Sequence, residues 1–186
     1  MNYYLDIETT GLDELHDKII TIQYMELERN TGKPVGPLKI LKEWESDEKT
    51  ILKRFIEDFV PENQWAFIPI GFNLQFEHKF LWQRCISNGL QPVDILNGPF
   101  LDLKTIAVLM NKGEFKGASL HNMTNKPRGG GNIPQLYADK NFDEIESYIK
   151  NEADEFVGLA QWLYREMPQM LEKFSQSLSQ NIENKT

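Results

Sequence analysis

Two carboxylates stand two positions apart in an otherwise apolar opening run, Tyr3-Tyr4-Leu5-Asp6-Ile7-Glu8, and the chain then turns through Thr9-Thr10-Gly11-Leu12. Side chains on a strand alternate between faces, so this spacing puts Asp6 and Glu8 on one face and Leu5 and Ile7 on the other, against a core. Two anions on one face repel each other. A divalent cation between them relieves the repulsion, because hard ions such as Mg²⁺ and Mn²⁺ take carboxylate oxygens and keep waters for substrate phosphate. The other use of an Asp-x-Glu pair is a solvated strand face, and the flanking sequence weighs against it. Asp17-Lys18-Ile19-Ile20-Thr21-Ile22 reads as a second strand returning beside the first, which places the acids within a sheet.

The run Asp6-Ile7-Glu8-Thr9-Thr10-Gly11-Leu12 with its following strand resembles the first motif of the DnaQ-like (DEDD) superfamily of 3′ to 5′ exonucleases. That resemblance implies an RNase H-like fold and two further acidic motifs downstream. The second has the form Asn-x-x-Phe-Asp at the start of a helix, and Asn73-Leu74-Gln75-Phe76-Glu77 keeps the frame with Glu in place of Asp. At about 100° per residue, Glu77 lies between Phe80 and Leu81, on the inward side of the helix. The third motif in its tyrosine form sets Tyr four positions before the last acid, as in Tyr148-Ile149-Lys150-Asn151-Glu152, again with Glu for Asp. A competing acid stands at Asp154. Ile145, Ile149, Phe156, Leu159 and Leu163 define one apolar stripe on this helix; Glu152 falls inside it and Asp154 opposite it. An acid centred on such a stripe is costly unless a cation meets it. The pattern Ile133-Pro134-Gln135-Leu136-Tyr137, then Phe142-Asp143-Glu144-Ile145, further resembles the branch related to proofreading domains of family B polymerases.

Elsewhere the pattern predicts strands over 19–27 and 38–44, a helix capped by Ser46 and ended by Pro61, a strand over 66–70, and a helix from Asn73 to about residue 87. Asp102 caps a helix to about residue 110, a long loop follows, and Asp143-Glu144-Ile145-Glu146 has the form of a capping box for the last helix. The expected fold class is therefore α/β: an RNase H-like mixed sheet, an antiparallel meander plus parallel strands, flanked by helices. One domain over 1–174 with a polar tail over 175–186 fits the 186 residues. A single cysteine, Cys85, permits no internal disulfide, and His16, His78 and His121 are scattered without zinc-site spacing. With no export signal or membrane span in the pattern, the expected location is the cytoplasm.

The net charge of −8 opposes general nucleic-acid binding, so any grip on a phosphate backbone must be local. The segment 111–134 carries Lys112, Lys116, Lys126 and Arg128 against Glu114, around Gly129-Gly130-Gly131. It reads either as a backbone clamp through Lys126 and Arg128 or as plain solvated loop. The resemblance implies two divalent cations, Mg²⁺ or Mn²⁺, with Asp6 bridging both, Glu8 and Glu152 on the nucleophile side, and Glu77 on the second ion through water. It also implies that Tyr148 orients the attacking water, that Thr9 lies near the terminal 3′ hydroxyl and Leu12 against the last base, and that Asn73 contacts a phosphate, unless it serves only as a helix cap. The implied activity is 3′ to 5′ hydrolysis of nucleic acid, single-stranded DNA favoured and RNA open, with any polymerase partner unspecified. Both Glu-for-Asp replacements move a carboxylate by about 1 Å, a displacement that can cost about a hundredfold in rate. A binding or interaction module on the same fold, with impaired turnover, is the competing reading.

Overall fold

The computed structural model describes residues 1–59, 65–124 and 132–183, the side chains as far as residue 177. The strands are β1 (Asn2–Thr9), β2 (Ile19–Leu27), β3 (Lys39–Lys42), β4 (Ile68–Gly71) and β5 (Leu101–Asp102). They form one sheet in the order β3-β2-β1-β4-β5. The first three strands pair antiparallel, and β4 and β5 join in parallel, giving the mixed α/β sheet that the resemblance implies. The acid-bearing strand is thereby central. Asp6 stands opposite Gln23 and Ile7 opposite Ile22, and the register slips by one residue between Glu8 and Thr9, where the chain leaves the sheet.

The helices are α1 (Glu48–Phe59), α2 (Leu74–Ser87), α3 (Leu103–Met110), the short α4 (Leu120–Met123) and α5 (Ile133–Ala138), and α6 (Phe142–Glu183). Alternation along β1 decides the layers. Leu5 and Ile7 pack with Ile22 and Tyr24 of β2 against Ile51, Leu52 and Phe55 of α1 and Phe80 and Leu81 of α2. On the opposite face Tyr4 and Ile70 lie under Phe156, Val157, Ala160 and Leu163 of α6. Each such aliphatic or aromatic side chain contributes about 1.5–3 kcal/mol by leaving water. None of the helices among the described residues is long and apolar enough to cross a membrane.

Several boundaries differ from the pattern, for local reasons. Asp47, not Ser46, starts α1: its carboxylate accepts from the Thr50 amide at 2.7 Å. Helix α6 begins one residue before Asp143, and Glu146 turns to Lys42 (2.6 Å) instead of back to the helix start, so the capping box is not used. Strand β5 and helices α4 and α5 occupy stretches too short to show a period. The last helix continues without a break at residue 174 to Glu183. Pro61 lies outside the described residues.

Candidate metal centre

Strand β1 and helix α6 supply the centre from opposite sides. Asp6 and Glu8 leave one face of β1, and Glu152 descends from α6, so that one carboxylate oxygen of each lies within 4.8 Å of the others. Around Glu152 the neighbours Ile149, Ala153 and Phe156 are buried and Asp154 is exposed, which is the arrangement its helical phase dictates. Like charges 4 Å apart repel by about 4 kcal/mol per pair at a near-surface dielectric. Three of them gathered in one place oppose one another, a repulsion that a bound divalent cation would offset.

Neutral hydrogen-bond donors meet this unit. The Gln23 amide donates to Asp6 Oδ2 at 2.9 Å, and the Thr21 hydroxyl holds Gln23 Oε1 at 2.9 Å, fixing the amide's orientation. The fully buried Tyr4 hydroxyl donates to Asp6 at 3.3 Å. Tyr148, one turn before Glu152, donates to Glu152. Burial, with Glu152 and Glu8 close by, pushes the Tyr148 phenol far above its ordinary range, so it stays protonated and acts as a donor. Tyr4 is raised well above its ordinary range too, by burial and by Asp6.

Glu77 stands beside the trio rather than within it. Helix α2 starts where β4, the neighbour of β1, ends, and its first turn brings Glu77 to a hydrogen bond with Asp6. Only 4% of the residue is exposed, and its Oε2 is buried without a hydrogen-bond partner. Burial, then the negative charge of Asp6, pushes its carboxyl well above the usual carboxylate range. An orphaned carboxylate oxygen next to three converging acids is a donor set of the kind hard divalent cations take, and the residues present fit such ions.

The second-motif frame is held from below by Asp102. Its carboxylate accepts from the amides of Asn73 (2.8 Å), Leu74 (3.0 Å) and Lys104 (3.0 Å), joining the starts of α2 and α3. Asp102 thus caps α3, as its sequence position implies. The expectation that the Asn73 side chain caps α2 is corrected. Asn73 is left-handed (φ 79°), its side chain makes no capping bond, and its Oδ1 instead accepts from Lys104 Nζ at 2.7 Å. Thr9 is buried, its hydroxyl bonded to the Gly11 carbonyl across the turn. At Gly11 an added Cβ would run into the Asp17 carboxylate and displace it. Leu12 projects from this turn with 84% of its surface exposed. Lys126 and Arg128 lie outside the described residues.

Two residues of the centre escaped the motif reading: Tyr4 and Gln23. Gln23 had a signal in sequence, a polar side chain in the middle of an apolar strand run. Tyr4 shares a face with Asp6 by the same alternation that separates Asp6 from Ile7.

A family model described as RNase_H superfamily matches residues 3–127 of the chain. Among solved structures, similarity extends to apo exonuclease I, with 12% identity and a TM-score of 0.48 over 59% of this chain and 30% of that chain. A metal-free complex of E. coli exonuclease I with single-stranded DNA gives 13% identity and a TM-score of 0.47, over 59% of this chain and 29% of that one. Exonuclease I from Methylocaldum szegediense gives 17%, a TM-score of 0.46, and 57% and 28% coverage. The matched part is less than a third of the length of each of these proteins. No curated protein sequence matches the chain.

Proposed function

Because the chain belongs to the RNase H superfamily, we propose that it is a metal-dependent 3′ to 5′ exonuclease of the DnaQ-like, tyrosine type, acting on single-stranded nucleic acid. The observation that carries this reading is the meeting of Asp6, Glu8 and Glu152 within 4.8 Å, with the unpartnered Oε2 of Glu77 beside them. Asp6, Glu8 and Glu152 would hold two Mg²⁺ or Mn²⁺ ions, and Glu77 would reach the second of them through water. Such a pair supplies an activated water and stabilises the leaving 3′ oxygen during in-line attack on phosphorus.

The chain's own residues do the rest. Tyr148 keeps its proton near neutral pH, so it positions water by hydrogen bonding instead of abstracting a proton. Gln23 and Tyr4 hold Asp6 in one orientation, in the manner of partners that fix metal ligands. Thr9 and Leu12 bracket the terminal nucleoside at the turn after β1, the exposed Leu12 offering an apolar face to its base. Asn73, paired with Lys104, contacts the next phosphate. Lys126 and Arg128 would add a backbone clamp. The product is a nucleoside 5′-monophosphate. The longer arm of Glu152 still reaches the trio, whereas Glu77 stays outside it, which suits direct coordination by the first and a water-mediated contact by the second.

The test uses the purified protein with 3′- and 5′-labelled single-stranded DNA and RNA oligonucleotides in Mg²⁺ and in Mn²⁺, beside an Asp6→Ala control. A ladder shortened one nucleotide at a time from the 3′ end, absent in the control, is the expected result. Intact oligonucleotide with measurable binding would assign a binding module instead, and the DNA to RNA ratio identifies the preferred sugar.

A further inference from the structure

The acid cluster has two flanks along α6. Tyr148, Glu152 and Phe156 are spaced one turn apart on a single helix face; Tyr148 guards one flank, and at the other a cavity of about 210 Å³ opens between Phe156 and α4. Its walls include Asp6 and Glu152 from the metal centre, Phe72 and Phe156 as apolar surface, Ser119 at the cap of α4 and His121 within it. His121 is the nitrogen-bearing side chain among the described residues lining it.

Helix α4 is held firmly enough to place that ring. Leu120 is buried in the core beneath α6. The Asn122 side chain donates to the Gly117 carbonyl at 2.7 Å, and the Thr124 hydroxyl donates to the Leu120 carbonyl at 3.0 Å. His121 is therefore presented to the cavity from a bonded turn.

We propose that His121 is a further substrate-contacting residue of this site, donating a hydrogen bond to the phosphate of the strand being cut from the flank opposite Tyr148; this rests on the nuclease reading above. A phosphodiester drawn against four carboxylates needs donors as well as cations, and Gln23, Tyr4 and Tyr148 are directed at the carboxylates. An imidazole has two ring nitrogens, so one can keep a contact within the fold while the other donates to the phosphate. The partly buried Phe72 ring beside it offers surface on which the adjoining nucleoside can rest.

The experiment compares the parent with His121→Ala and His121→Gln on 5′-labelled single-stranded DNA in Mn²⁺, together with Mn²⁺ binding by calorimetry and thermal midpoints. Loss of a hydrogen bond to a charged group predicts about a 10- to 100-fold fall in kcat/KM for His121→Ala. Partial recovery is expected in His121→Gln, which keeps a donor, with Mn²⁺ affinity and thermal midpoint unchanged in both. Parent-like cleavage by His121→Ala overturns the proposal. So does an activity loss matched by lost Mn²⁺ affinity or stability, which would make His121 a metal ligand or a packing residue. A parent without metal-dependent cleavage overturns the nuclease reading and this inference together, whereas an active parent with unaffected variants overturns this inference alone.

Discussion

Two glutamates are buried on adjacent helices, and the fold treats them in opposite ways. Glu48 on α1 is 7% exposed and Glu77 on α2 is 4% exposed. Glu48 accepts from Arg84 Nε (2.9 Å) and the Ile19 amide (2.8 Å) on one oxygen, and from Arg84 Nη2 (2.8 Å) and Asn88 Nδ2 (3.0 Å) on the other. Glu77 meets another acid and leaves one oxygen with no partner. A buried carboxylate used for architecture is thus supplied with a bidentate cation and a backbone donor, joining α1, α2 and β2. One left incomplete marks the place where something from outside is required.

Substitutions should separate the two. The largest effect is expected from Arg84→Ala, which strands the Glu48 charge and should lower stability by about 3–5 kcal/mol in denaturant melts while leaving Mn²⁺ affinity per folded molecule unchanged. Next, Glu77→Gln should reduce cleavage about a hundredfold, yet raise the stability of the metal-free protein at pH 8 by about 1 kcal/mol, or about 2–4 °C. A drop in stability would show that Glu77 is structural after all.

Acidity offers a third contrast. The Glu77 carboxyl titrates higher in the folded chain than in the unfolded one, so the folded state holds the proton more tightly. Its contribution is fully present below the unfolded value and is lost as pH rises through the raised one. Melting of the metal-free parent in EDTA between pH 5 and 8 should therefore fall relative to Glu77→Gln as pH rises, while Mg²⁺ affinity rises over the same window. Parallel pH profiles for the two proteins would contradict this. The smallest effect belongs to Arg84→Lys, which keeps the charge but loses the fork and should cost about 1 kcal/mol. Mg²⁺ at a hundred times its Kd should add about 2.7 kcal/mol to the parent and nothing to Asp6→Ala.

Much of the centre was legible because it lies on regular elements. The two-residue period of β1 separates Asp6 and Glu8 from Leu5 and Ile7, and the phase of α6 selects Glu152 over Asp154 without knowledge of the partner strand. What depended on pairing was not legible: Gln23 reaches Asp6 only because the antiparallel register sets them opposite. The role of Asn73 was misread for a related reason. A cap is inferred from the residue at a helix start, whereas here the cap arrives from Asp102, 29 positions along the chain, through the parallel strand β5. Helices α4 and α5 are shorter than two turns, so no periodicity announces them.

The shared carboxylate of Asp102 makes two helix beginnings one mechanical joint. A shift of α3, whose outer residues Leu109 and Met110 face solvent, cannot be absorbed without disturbing the first turn of α2, and that turn carries the acid nearest Asp6. Anything that docks against α3 would thereby hold a lever on the geometry of the acidic cleft, although it never touches the cleft itself.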